Sequence, residues 1–190
     1  WSRGIGDVYK RQVHDILGYN VSKLPRTSYT ISIGDMSELD EKIELSKPYS
    51  IIKVKLGTPN NDKEIISQIR QRTDKLIRVD ANEGWSLDNA HEMSYWLADR
   101  NVEFIEQPFD AKMLNETRSL KEFSPLPLFA DENSLVSSDI PEIVDCFDGI
   151  NIKLMKCGGL DEALKMIEIA KHFDMQIMLC LLYTSDAADE

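Results

Sequence analysis

Short runs rich in β-branched and aromatic residues alternate along this chain with stretches whose apolar residues recur at three- and four-residue steps. The β-rich runs are TSYTISI (27–33), SIIKVKL (50–56), LIRVDAN (76–82), EFIEQP (103–108), PLFADEN (127–133), GINIKLM (149–155) and MQIML (175–179). Between them, DKEIISQIRQRT (62–73) and LDEALKMIEIAKHF (160–173) carry helical periodicity, and SLDNAHEMSYWLADR opens on Ser86, a residue suited to cap a helix. Strand, helix and strand at regular spacing predict βαβ units and a parallel sheet. The interval is close to the roughly 30 residues that a (β/α)8 barrel of roughly 250 residues spends on each unit. An open doubly wound sheet would carry a glycine-rich phosphate turn after its first strand. Here the one glycine pair, in KCGGL (156–160), follows a late run and reads as a tight turn into a helix. The predicted fold is therefore α/β, a partial TIM-type (β/α)7β barrel with its last segments missing.

The two ends do not continue the pattern. WSRGIGDVYKRQ (1–12) and CLLYTSDAADE (180–190) resemble translated sequencing-adapter DNA and are set aside as non-native tails, which leaves 27–179 as the barrel segment. The formal net charge of −11, without basic clusters, disfavours nucleic acid and anionic membrane as partners. No apolar run approaches the roughly 18 residues of a membrane span, so a cytoplasmic protein is the default expectation. Cys146 and Cys157 form no close-spaced pair and have no histidine nearby, which argues against a disulfide framework or a zinc site and for core thiols.

Three acids close successive β-rich runs: Asp80 in RVDAN, Glu106 in FIEQP and Asp131 in FADEN, about 25 residues apart. In a barrel those strand ends form the face where active sites are built. A single acid there would simply cap the following helix. Three converging carboxylates resist joint ionisation unless a cation neutralises them, and a hard divalent ion suits oxygen ligands. Mg2+ is the natural choice, with Mn2+ a possible replacement. Lysines flank the set. Lys53 and Lys55 share one face of the run before it, with Ile52, Val54 and Leu56 on the other, and Lys153 ends the run after it. Lysines on an edge strand would be a solvated guard against aggregation. Lysines inside a barrel would stand on opposite sides of the metal, where two bases can invert a stereocentre by removing and returning a proton. Lys156, three residues after Lys153, is expected on the opposite strand face and in solvent.

The motifs KVK, VDAN, IEQP, ADEN and NIKLMKCGG together resemble the muconate-lactonising subgroup of the enolase superfamily. TSYTISI, VDANEGW and INIKLMKCGG look most like its dipeptide epimerases, the L-Ala-D/L-Glu epimerase type. The resemblance covers nearly all of residues 13–179. It implies a Mg2+ site of Asp80, Glu106 and Asp131, catalytic Lys55 and Lys153, and Lys53 supporting an enolate. Asn82, Gln107 and Glu132 would hold those groups in place. Asn133 departs from the serine that many members carry after ADE.

The resemblance also implies an isomerase, in a homo-oligomeric parent, that inverts the α-carbon of one residue of a dipeptide. Family members carry an N-terminal capping domain, of which residues 13–26 would be a remnant or linker, and a strand-eight segment that is likewise missing. The polypeptide as written is therefore expected to fold poorly and to be inactive, although its full-length parent is an enzyme. Two other functions share these residues or this fold: a cycloisomerase or o-succinylbenzoate-forming dehydratase of the same superfamily, and a non-catalytic barrel whose charges form a structural network.

Overall fold

The computed structural model describes residues 12–20, 22, 24–32, 36–58 and 61–180; of the expected tails 1–12 and 180–190, residues 1–11 and 181–190 lie outside the described residues. Seven strands follow one another: β1 (Ser28–Ile31), β2 (Ile51–Lys55), β3 (Leu76–Asp80), β4 (Val102–Glu106), β5 (Leu128–Ala130), β6 (Gly149–Lys153) and β7 (Gln176–Cys180). They make a single sheet in chain order, every neighbouring pair parallel, and among the described residues β1 does not pair with β7. The helices are α1 (Val13–Leu17), α2 (Leu39–Leu45), α3 (Asp62–Arg70), α4 (Leu87–Ala98), α5 (Leu114–Phe123), α6 (Ile140–Ile143), α7 (Leu154–Cys157) and α8 (Leu160–His172). The partial barrel expected from the alternation is the fold. Because β2 lies between β1 and β3, its lysines are not those of an edge strand.

Strand parity divides the sheet into two faces. The outer face carries Ile52, Val54, Ile77, Val79, Ile105, Leu128, Ile150 and Ile152, all fully or almost fully buried. Against it pack Ile65, Ile66 and Ile69 of α3, Ala90, Met93 and Leu97 of α4, and Ala163, Met166 and Ala170 of α8, spaced to give each helix one apolar stripe. Each buried isoleucine or leucine contributes about 1.5–3 kcal/mol. Ser86 does cap α4, accepting from the Asn89 N–H. Cys146 and Cys157 are core thiols, and burial pushes that of Cys146 up to about 11.

The inner face is concave. Side chains of strands two apart meet across it: Lys53 of β2 and Asn151 of β6 both reach Glu106 of β4. Its apolar part is small, a stacked Phe104–Phe129 pair with ring centroids 4.0 Å apart, joined by Met178. Gly149 makes room for it, since a Cβ there would lie 2.6 Å from the Phe129 ring. The inner face above this cluster is polar.

Six of the seven runs end as strand before their last expected residue, and at two of them the early end shapes the site. Only Leu128–Ala130 of 127–133 is strand, so Asp131 stands just beyond it. In 149–155 the strand stops at Lys153, and α7 follows, closed by Gly158 and Gly159 at φ of 87° and 140°. That early stop moves Lys156 off the strand altogether.

Candidate active site

Sheet register brings the first half of the site together. Lys55 pairs with Asp80 and Asp80 with Glu106, so three strand ends stand in one row. Asp80, Glu106 and Asp131 are all buried, and one carboxylate oxygen from each lies within 4.8 Å of the others. Three carboxylate oxygens gathered this closely are a donor set that suits a hard divalent ion.

Lysines balance these charges. Lys53, itself buried, lies 2.9 Å from Asp80 and 2.6 Å from Glu106. Burial alone would lower its pKa, but the two carboxylates overcome that cost and raise it. Lys53 is thus a fixed cation. Lys55, with 40% of its side chain exposed, stands at the mouth, 3.4 Å from Asp80 and 3.3 Å from the side-chain Oδ1 of Asn82. Lys153 is buried in an ion pair with Asp131.

Lys156 was expected in solvent, and that expectation fails. Because α7 turns the chain back over the strand ends, its ammonium lies 2.7 Å from Asp131 and 3.4 Å from Glu132. Burial opposes ionisation of Asp131, yet hydrogen bonds from Lys153 and Lys156 hold its carboxyl below the usual range. Burial and the neighbouring charge of Asp131 push Glu132 the other way. Glu106 is likewise raised, by burial first and by Asp80, against the attraction of Lys53.

Gln107 orients the loop that carries Asp131. Buried at φ 39°, it accepts from the Asp131 and Asn133 N–H groups and donates to the side-chain Oδ1 of Asn133 and to the Phe109 backbone carbonyl. Asn133 also donates to the Ala111 carbonyl, so this departure from the usual serine ties neighbouring loops together. Asn151 escaped the sequence reading, though strand parity with Lys153 would have found it. It donates to Glu106 Oε1 at 2.7 Å. Two buried atoms at this centre, Glu106 Oε2 and Asn151 Oδ1, have no hydrogen-bond partner, and the former meets Lys53 only as an ion pair. Three hard oxygen donors beside orphaned polar atoms suit a divalent cation.

A parallel barrel segment that gathers carboxylates and lysines at the C-terminal ends of its strands has its candidate site on the face where barrel active sites are built. The family model described as enolase C-terminal domain-like matches residues 37–186, and the chain belongs to that family. Among curated relatives it is 40% identical to the L-Ala-D/L-Glu epimerase of Bacteroides thetaiotaomicron, over 96% of this chain and 48% of that protein. It is 36% identical to a hydrophobic dipeptide epimerase of Flavobacteria bacterium, over 93% and 53%. Among solved structures, the dipeptide epimerase from Cytophaga hutchinsonii complexed with Mg and the dipeptide D-Ala-L-Val superposes with a TM-score of 0.80 at 29% identity, covering 87% of this chain and 47% of that one. The chain spans about half the length of the curated relatives it matches.

Proposed function

We propose that the full-length protein is a Mg2+-dependent dipeptide epimerase, an isomerase that inverts the α-carbon of one residue of its substrate. The observation that carries this reading is the placement of two lysines on either side of a carboxylate cluster. Lys55 ends β2 and Lys153 ends β6, and the strands between them supply Asp80, Glu106 and Asp131. The names of the relatives supply the substrate class.

Asp80, Glu106 and Asp131 would hold the metal, which supplies positive charge to the substrate carboxylate as its α-proton leaves. Mn2+ could take the same place. One lysine, as the free amine, accepts the α-proton. The other, as the ammonium, returns a proton to the opposite face of the carbon. One C–H bond breaks and another forms with inverted configuration, and the roles exchange for the reverse direction. Lys53 is assigned no proton transfer: buried against Asp80 and Glu106, it would contribute positive charge beside the site where negative charge develops. Asn151 and Gln107 keep Glu106 and Asp131 aimed.

Activity is assigned to the full-length protein. Among the described residues β1 and β7 do not pair, so the sheet they bound is not closed, and we infer that the chain alone is inactive. The test offers the full-length protein a panel of L,L-dipeptides with Mg2+ and follows the α-protons by NMR. Appearance of the epimer, abolished by chelation, supports the reading. Turnover of a muconate or of an o-succinylbenzoate precursor, with none of any dipeptide, would replace it with the cycloisomerase or dehydratase.

A further inference from the structure

Asp62 opens α3 and is 1% exposed, an unusual position for an aspartate that, among the described residues, forms no ion pair. Its carboxylate accepts four hydrogen bonds. Oδ1 takes the Thr58 N–H and hydroxyl at 3.1 and 3.2 Å. Oδ2 takes the Gly57 N–H at 3.1 Å and the buried Trp85 indole N–H at 2.7 Å. An acid in the first turn usually serves its own helix, by capping free N–H groups or by offsetting the dipole. None of these four donors belongs to α3. All lie in two loops at the mouth: 56–58, which follows Lys55, and 81–85, which follows Asp80.

The loops are also in backbone contact. Gly57, at φ 103°, leaves no room for a side chain, because a Cβ there would lie 2.2 Å from the Ala81 carbonyl oxygen. A Cβ on Gly84 would lie 2.3 Å from the Gly57 carbonyl oxygen. Leu56 N–H donates to the Asp80 carbonyl at 2.7 Å. The segment two residues beyond Lys55 is thereby fixed to the segment that carries Asp80 and Asn82, the two groups Lys55 touches. Among the described residues the side chain of Lys153 is tied to Asp131 and forms no hydrogen bond with these loops.

We propose that Asp62 is a positioning residue for Lys55: its carboxylate and the Trp85 indole clasp the loops after β2 and β3, and so set the distance of that lysine from Asp80 and from the substrate. The inference rests on the two-base reading above. Misplacing a reacting group by about 1 Å costs on the order of 100-fold. The clasp touches one base only, so its loss is asymmetric.

The experiment uses the full-length protein with Mg2+ and measures α-proton exchange into D2O for each substrate enantiomer separately. The enantiomer served by Lys55 is the one whose exchange Lys55→Ala abolishes. Asp62→Ala should slow that exchange about 10–100-fold and change the other less than about twofold. Asp62→Asn, which keeps one acceptor oxygen, should recover part of the loss. Trp85→Phe, which removes one hydrogen bond and little volume, should show the same asymmetry more weakly and decides the matter if Asp62→Ala does not fold. In the metal-free protein, the Trp85 indole N–H should be protected from solvent exchange and should lose that protection in Asp62→Ala. Equal slowing of both enantiomers, or none in a folded variant, overturns the positioning role. A wild type that exchanges neither enantiomer overturns the two-base reading, and this inference with it.

Discussion

Ile52 and Lys53 are neighbours on β2, yet they belong to different chemistries. Ile52 points outward into a continuous layer of buried apolar side chains against the helices. Lys53 points inward into a layer of Asp80, Glu106, Asn151, Asp131 and Lys153, all nine-tenths or more buried. Burying that many charges costs desolvation energy that the outer face never incurs, and hydrophobic replacements would often serve stability as well or better. The outer face is therefore explained by folding. The inner layer is not, and a site for charged substrate and metal accounts for it.

Substitutions on the two faces should separate along that line. The largest effect is expected at Asp131. Asp131→Asn in the full-length protein removes a metal oxygen and the shared partner of Lys153 and Lys156. Several kcal/mol of transition-state stabilisation go with the metal, and epimerisation should fall by on the order of 1,000-fold or more. Metal titration followed by calorimetry checks the cause. Unchanged affinity would dissolve the distinction between the faces.

Ile52→Ala comes next and should do the reverse. A cavity in the outer layer lowers stability by about 2–5 kcal/mol in denaturant unfolding, while the protein that remains folded binds metal as before. Gln107→Ala probes the polar layer without touching a proposed ligand. Its loss frees the loop bearing Asp131, and metal affinity should drop roughly 10–100-fold, as for other groups that orient ligands.

The smallest effect is a pH dependence. In the metal-free site Glu106 titrates above the ordinary 4.5, by burial and the charge of Asp80, although Lys53 opposes the shift. A proton on Glu106 competes with the metal. Affinity should therefore be full above that raised pKa and fall about tenfold per pH unit below it. Asp131, held down by its two lysines, stays ionised through this window. The stability sign is opposite for the two acids. The raised Glu106 favours the fold at low pH and loses that contribution as pH rises through its folded value. The lowered Asp131 stabilises above its ordinary 3.8 and loses that contribution as pH falls through its folded value.

The outer layer was legible because period-two and period-3.6 patterns report which side of an element is apolar, and the helices at 62–70, 87–98 and 160–172 follow them. Asp80, Glu106 and Asp131 were legible because acids at successive strand ends have few other reasons to be in register. Lys156 was misread, since no periodicity marks where a strand becomes a four-residue helix; only the glycine pair after it hinted at the turn. Asp62 was passed over because an aspartate in a first helical turn is ordinary. Only its four donors, all outside the helix, distinguish it.

The central claim is that Lys55 and Lys153 work on opposite faces of one carbon. Deuterium incorporation at the α-carbon tests it most directly, in full-length Lys55→Ala and Lys153→Ala variants supplied with each substrate enantiomer in D2O. Each variant should lose epimerisation, by roughly 100- to 10,000-fold for a missing general base, and should still exchange one enantiomer, a different one in each case. Exchange of the same enantiomer by both variants would contradict the account.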